Sequence, residues 1–253
     1  MQCMREEVRH FFKKRFRQVL SYLPRQKADY WMLDMAVKFV DHNTSSARTQ
    51  SSAGTRGSLL GDYLEFGCAA GDSFLHTYRR AAAKMPWMRF WAFDSFLGLP
   101  RPQGVDTCGE AREGLFACSE AGFRRNLASK GIQWNRVDIV PGWYHETLTP
   151  ELKQQRGLRI ASIVYIDCDL YHSAALALEF ISDLVETGSV LIFDEWLTFR
   201  GDPALGEQRA CAEWLVRHPE LTLQDWHFFG AYGKSFIVIR RKESSQGATH
   251  QEA

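Results

Sequence analysis

Residues 63–73 read Tyr63-Leu64-Glu65-Phe66-Gly67-Cys68-Ala69-Ala70-Gly71-Asp72-Ser73, and a helical run, Phe74–Lys84, follows directly. A short, mostly apolar stretch passing through two glycines into a helix is a strand–turn–helix unit. Gly67 and Gly71 let the backbone turn tightly and allow a ligand to approach the free N–H groups of a helix N-terminus. The spacing is E-x-G-x-x-x-G, not the G-x-G-x-x-G of a dinucleotide fingerprint. Such a turn suits the carboxylate and amino group of an amino-acid-bearing nucleoside, which need less room than a pyrophosphate. Glu65 would then meet an ammonium, with Ser73 opening the helix beside it. Alone, the motif is also what any strand–turn–helix with small residues looks like.

The pattern repeats outward from this unit. Strand-like runs fall at Phe90–Phe93, Val137–Val140, Ile160–Ile166 and Val190–Phe193, with a closing pair near Leu221–Phe229 and Ser235–Ile239. Helical runs fit at Ser119–Lys130, Ser173–Glu186 and Gly206–His218. This alternation predicts an α/β fold: a doubly wound, mostly parallel, seven-stranded sheet covered on both faces. The last two strands lack a helix between them and read as an antiparallel hairpin. In such a sheet, ligands bind outside the carboxyl ends of the strands.

Those ends carry the chemistry. The second strand runs into Asp94-Ser95, some twenty-odd residues past the glycine loop, where an acid is placed to accept hydrogen bonds from ribose hydroxyls; an ordinary helix cap is the competing reading. The fourth ends in Asp167-Cys168-Asp169 and the fifth in Asp194-Glu195. Carboxylates gathered on adjacent strand tips are costly unless a cation joins them, and carboxylate oxygens suit a hard ion such as Mg²⁺. Asp167, Asp194 and Glu195 are the candidate ligands, with helix capping the alternative for Asp169 or Glu195 singly. Trp143 follows the third strand, where an adenine would pack. His145, His172 and His227 are candidate auxiliary bases, though a histidine without a motif is more often a surface or packing residue.

The totals bound the rest. The 253 residues, 45% hydrophobic and 24% charged, suit one α/β domain with elaborations. A net charge of +1 without a dominant basic patch argues against nucleic acid as a partner. Six scattered cysteines without a C-x-x-C pair argue against zinc and disulfides, and for reduced thiols in the cytoplasm. No apolar run reaches the roughly 18 residues of a membrane span. The basic, amphipathic segment Glu6–Leu20 is expected to be a helix packing on the domain or on a second subunit of a homodimer, with an anionic membrane surface as the alternative. A second helix is expected over Ala28–Val40. His42–Gly57 is polar enough to read as a flexible loop, and the tail after Arg241 as disordered.

The motifs together resemble the macrocin O-methyltransferases, metal-dependent enzymes that methylate sugar hydroxyls of antibiotics. The matching segments are LEFGCAAGDS (64–73), FDSFLGLP (93–100), EGLFACSEAGFRRNLASKGI (113–132), VPGWYHETL (140–148), YIDCDLYHSAALALE (165–179) and LIFDEW (191–196). They cover most of residues 60–240. The resemblance implies a Rossmann-like class I methyltransferase domain at 59–241, after an N-terminal helical extension and loop at 1–58 and before a tail at 242–253. It implies S-adenosylmethionine bound by Glu65, Gly67, Gly71, Ser73, Asp94, Ser95, Trp143 and Asp167. It further implies Mg²⁺ on Asp167, Asp194 and Glu195, Asp167 as general base, and a small-molecule hydroxyl as substrate. The chain departs from the family in two places: Asp194-Glu195 stands where Asp-Asp is usual, and Cys68-Ala69-Ala70 where bulkier or glycine-richer residues are usual. The long segment Arg101–Glu120 is expected to be a lid or, alternatively, a disordered insertion. Rival expectations are a same-fold enzyme acting on a phenol, peptide or nitrogen, a noncatalytic scaffold, and a nucleotide-sugar or NAD enzyme. The last lacks both its glycine fingerprint and a Tyr-x-x-x-Lys pair.

Overall fold

The computed structural model describes residues 25–49 and 60–241. The segment Glu6–Leu20, the rest of the polar stretch beyond Thr49 and the tail after Arg241 lie outside them. Seven strands form one sheet: β1 (Asp62–Phe66), β2 (Phe90–Asp94), β3 (Val137–Pro141), β4 (Ala161–Ile166), β5 (Val185–Phe193), β6 (Leu221–Phe229) and β7 (Gly233–Arg240). Their order is β3-β2-β1-β4-β5-β7-β6. The first five run parallel, and β7 pairs antiparallel with both β5 and β6. The order reverses beside β1, so a crevice opens between the tips of β1 and β4.

Side chains alternate across the sheet and build two cores. Tyr63, Phe90, Ala92, Ile163, Tyr165 and Ile192 face one side, where α1 (Arg25–Thr49), α2 (Asp72–Ala81) and α3 (Glu120–Ala128) cover them with Met32, Leu33, Phe74, Phe123 and Leu127. Leu64, Phe66, Trp91, Phe93, Val164 and Ile166 face the other, under α6 (Tyr171–Ile181) and α7 (Gly206–Arg217) with Ala174, Leu178 and Trp214. Residues without a polar atom to satisfy dominate both layers, which is why the central strands read as near-continuous apolar runs.

Three boundaries differ from those expected. Helix α1 continues to Thr49, eight residues into the stretch read as a flexible loop. Thr44 is fully buried there, and its hydroxyl donates to the Val40 carbonyl at 2.8 Å, so a polar residue is absorbed by the helix itself. The helix expected through Glu186 stops at Ile181, because Ser182 turns its hydroxyl to the Leu178 carbonyl and accepts from Trp214 Nε1 at 2.8 Å. Strand β5 then begins at Val185, and its pairing with β4 shifts between Ala161 and Ile163 around Gly188, whose φ is +97°. Two short helices, α4 (Tyr144–Thr147) and α5 (Pro150–Arg156), fill the β3–β4 connection where none was expected. Thr149 capping Leu152 N–H, with Pro150 at the first helical position, was the legible signal for α5.

Glu65 is the one acid set among the inward side chains of β1. It is fully buried, and the hydroxyls of Tyr63 and Ser73 donate to its two oxygens, Ser73 at 2.6 Å. Burial pushes its carboxyl from the usual 4.5 up to about 8, against the pull of the two hydroxyls; the charges of Asp94 and Asp194 add to the rise.

Two outcomes are expected. A Cβ on Gly67 would lie 1.9 Å from the Asp167 carbonyl oxygen, at a φ of +88°. Gly67→Ala should therefore cost on the order of 3 kcal/mol or more in urea unfolding, while an exposed helical change such as Val216→Ala stays within about 0.5 kcal/mol. The folded state keeps the Glu65 proton over a range where the unfolded state has lost it. Stability should therefore fall as pH rises from 4.5 towards 8, by up to about 1.4 kcal/mol per unit from this group. Glu65→Gln should remove that part of the slope in denaturation curves taken at several pH values. An unchanged slope would refute the assignment.

Candidate active site

The parallel register sets the site. Phe93, Phe66, Ile166 and Phe193 lie level on neighbouring strands, so the next residue of each forms one row along the sheet edge: Asp94, Gly67, Asp167 and Asp194. Each link in the row is a backbone hydrogen bond from a tip residue to its neighbour's last carbonyl. Gly67 N–H donates to Phe93 at 2.9 Å, Asp167 N–H to Phe66 at 2.9 Å and Asp194 N–H to Ile166 at 3.0 Å. A cleft of about 540 Å³ opens over this edge, within the range of small-molecule sites.

Of the residues singled out in the sequence, Gly67, Asp94, Ser95, Trp143, Asp167, Asp194 and Glu195 line this cleft. Glu65, Gly71 and Ser73 do not. Glu65 and Ser73 are bonded to one another beneath the glycine loop. Gly71 caps α2 with a φ of 84°, and a Cβ there would meet Phe123 and Leu127 at 2.7 Å, so its smallness serves the packing of α3. Asp94 is committed to the loop in a way the sequence did not disclose. One oxygen accepts the N–H groups of Cys68 at 2.7 Å and Ala69 at 2.9 Å, and the other accepts Phe96 N–H at 2.7 Å. Ser95 closes the following turn, donating to the Gly98 carbonyl at 2.8 Å.

Oxygens of Asp167, Asp194 and Glu195 all lie within 4.8 Å of one another. In an octahedron with 2.1 Å bonds, ligand oxygens are roughly 3 Å apart, or 4.2 Å across the ion, so a small inward movement would complete a Mg²⁺ site. The longer Glu195 side chain reaches the group despite standing where the family usually carries aspartate. Tyr165 donates to Asp194 at 2.8 Å, and the Thr198 hydroxyl donates to Glu195. Beside them sits an acid that sequence reasoning missed, Glu207 in the first turn of α7. It is 1% exposed and accepts Glu195 N–H at 3.1 Å, and its Oε1 has no hydrogen-bond partner among the described residues. Burial, then the charges of Glu195, Asp194 and Asp169, push its carboxyl well above the usual range. In sequence it looks like any acid complementing a helix N-terminus, so nothing there flagged it. An oxygen-only donor set of three carboxylates fits a hard divalent cation.

The segment Arg101–Glu120 is tied to the fold at two points. Its Gly114 and Leu115 exchange backbone hydrogen bonds with Leu99, and a 3₁₀ turn, Gly104–Cys108, packs on α6. Among the described residues, no helix is long and apolar enough to cross a membrane.

The sequence profile of the macrocin-O-methyltransferase (TylF) family matches residues 50–210. The 8-demethyl-8-(2,3-dimethoxy-alpha-L-rhamnosyl)-tetracenomycin-C 4'-O-methyltransferase of Streptomyces olivaceus is 30% identical over 145 residues, 54% of this chain and 53% of that protein. The demethyldecarbamoylnovobiocin O-methyltransferase of Streptomyces niveus is 26% identical over 113 residues, 42% of this chain and 41% of that protein. The matches thus span about half the length of these relatives, or less. The crystal structure of the calicheamicin methyltransferase CalS11 shares the fold, with a TM-score of 0.63, 22% identity and coverage of 83% of this chain and 78% of that one. With most of its length matched by the profile and its strand tips arranged as described, this chain belongs to the macrocin-O-methyltransferase (TylF) family.

Proposed function

We propose that this protein is an S-adenosylmethionine-dependent O-methyltransferase acting on a hydroxyl of a sugar or glycosylated small molecule, with Mg²⁺ held by Asp167, Asp194 and Glu195. The observation that carries the reading is the single row of strand-tip residues, in which a glycine loop stands directly beside three carboxylates in one cleft. The Streptomyces olivaceus relative is named for 4'-O-methylation of a dimethoxy-rhamnosyl tetracenomycin, which supports a sugar hydroxyl as the acceptor, and the Streptomyces niveus relative is likewise named an O-methyltransferase.

Methyl transfer from a sulfonium is an in-line displacement, so alignment and exclusion of water are the protein's main tasks. Gly67 lets the methionine portion of the cofactor approach the backbone beside Asp167. Asp94 holds the glycine loop in shape through the N–H groups of Cys68 and Ala69 and faces the cleft where ribose hydroxyls would lie. Glu65 supports that loop from beneath through Ser73. Trp143 supplies an aromatic wall for adenine, and Ser95 sets the turn next to it. The cation, when bound, would lower the cost of forming an alkoxide from the acceptor hydroxyl. Asp167 would keep the acceptor oxygen in line with the methyl group and take its proton to the extent that an oxygen remains available to it.

Methyl transfer to glycosylated acceptors, followed by product mass, should stop with excess EDTA and return with Mg²⁺. Asp194→Asn should lose about a hundredfold or more in kcat. Calorimetry should show its affinity for S-adenosylhomocysteine within a few-fold of wild type. Full activity in EDTA would exclude the cation's role, and activity confined to phenols or amines would exclude the sugar acceptor.

A further inference from the structure

Of the described acids that line the cleft, Asp29 is the one from outside the matched residues 50–210. It stands near the start of α1, is half-buried, and shares the cleft with Gly67 and Ala69 of the glycine loop. Contacts with α2 pin α1 there. The Tyr30 ring stacks on His76 with centroids 4.2 Å apart, and the Asp34 carboxylate meets His76 Nε2 and Arg80 Nε, each at 2.9 Å. Burial, then the charges of Asp72, Asp29 and Glu65, push the Tyr30 hydroxyl above its usual pKa, as expected where α1 starts against the glycine loop. A Cβ on Gly230 would lie 3.6 Å from Asp29 Oδ1, so the β6–β7 turn backs the carboxylate.

The methionine portion of the cofactor carries an ammonium, and Glu65, expected from the sequence to meet it, does not line the cleft. Its oxygens take the hydroxyls of Tyr63 and Ser73 instead. The other acids around the cleft have other tasks. Asp94 holds the N–H groups of Cys68 and Ala69. Asp106 holds the start of α6, accepting Tyr171 N–H at 2.7 Å, His172 N–H at 3.2 Å and the His172 ring Nδ1 at 2.8 Å. Asp167, Asp194 and Glu195 form the candidate cation site, and Asp169 follows two residues beyond Asp167. Asp29 is the acid that remains for the glycine-loop side. A hydrogen bond between carboxylate and ammonium is among the stronger ones, because both partners are charged.

We propose that Asp29 receives the ammonium of the cofactor's methionine portion, so that α1 completes the cofactor site from outside the sheet. This rests on the methyltransferase reading above. Glu65 then supports the glycine loop from beneath, and Asp29 supplies the contact that separates S-adenosylhomocysteine from thioethers of adenosine without an amino group. Asp29 is not one of the candidate cation ligands. Its contribution therefore shows in cofactor binding with or without Mg²⁺.

Calorimetry with two ligands tests this: S-adenosylhomocysteine and its des-amino analogue, which keeps the carboxylate. Wild type should bind the first roughly 10- to 100-fold more tightly, in Mg²⁺ and in EDTA alike. Asp29→Asn should lose that factor for S-adenosylhomocysteine while binding the des-amino analogue within about threefold of wild type. Asp29→Glu should keep part of the preference. The wild-type comparison stands even if the variants fold poorly. A wild type that binds both ligands alike, or a folded Asp29→Asn that keeps the wild-type preference, overturns the proposal. So does an effect of Asp29→Asn confined to the acceptor's KM. A wild-type protein that binds no S-adenosylhomocysteine overturns the functional reading itself, and the role of Asp29 with it.

Discussion

The backbone of β1 passes so close to that of β4 at their tips that no side chain fits between them. A Cβ on Gly67 would stand 1.9 Å from the Asp167 carbonyl oxygen. That contact fixes the distance between the glycine-loop side of the cleft and the side built from carboxylates. Two neighbours hold it in place. Asp94 gathers the loop's N–H groups onto one carboxylate, and Asp167 N–H closes the ladder to Phe66. Groups carried on two strands of one sheet are held more rigidly than groups carried on loops.

The same edge gathers acidic side chains that the fold must accommodate. Glu65 and Glu207 are buried with carboxyls pushed up by desolvation, and Asp194 is 5% exposed beneath the cleft. Hydroxyls of Tyr63, Ser73, Tyr165 and Thr198 meet several of these oxygens. They satisfy hydrogen bonds without adding positive charge.

Some acids belong to the site's support rather than its floor, and the distinction could not be read from motifs. Glu65 and Asp94 both occupy positions that suggest ligand contact. In the folded chain Glu65 lies below the loop, while Asp94 shapes it and still lines the cleft. Glu207 and Asp106 carry no motif, yet each is almost fully buried and bonded to the backbone of a strand or helix bearing site residues.

Sequence by itself determined the order of strands and helices, the antiparallel ending and the acids at the strand tips. Apolar periodicity, glycines at tight turns and carboxylates after apolar runs are local signals, legible within a dozen residues. Tertiary structure alone decided that Gly67 abuts Asp167, that Glu65 is sealed from the cleft, that Glu207 joins the carboxylates, and that Asp106 and His172 meet. It also extended α1 through a polar stretch and ended α6 early, because Thr44 and Ser182 found partners for their hydroxyls. These outcomes depend on which surfaces pack together across tens of residues, and burial and hydrogen bonding at that range leave no periodic mark on the chain.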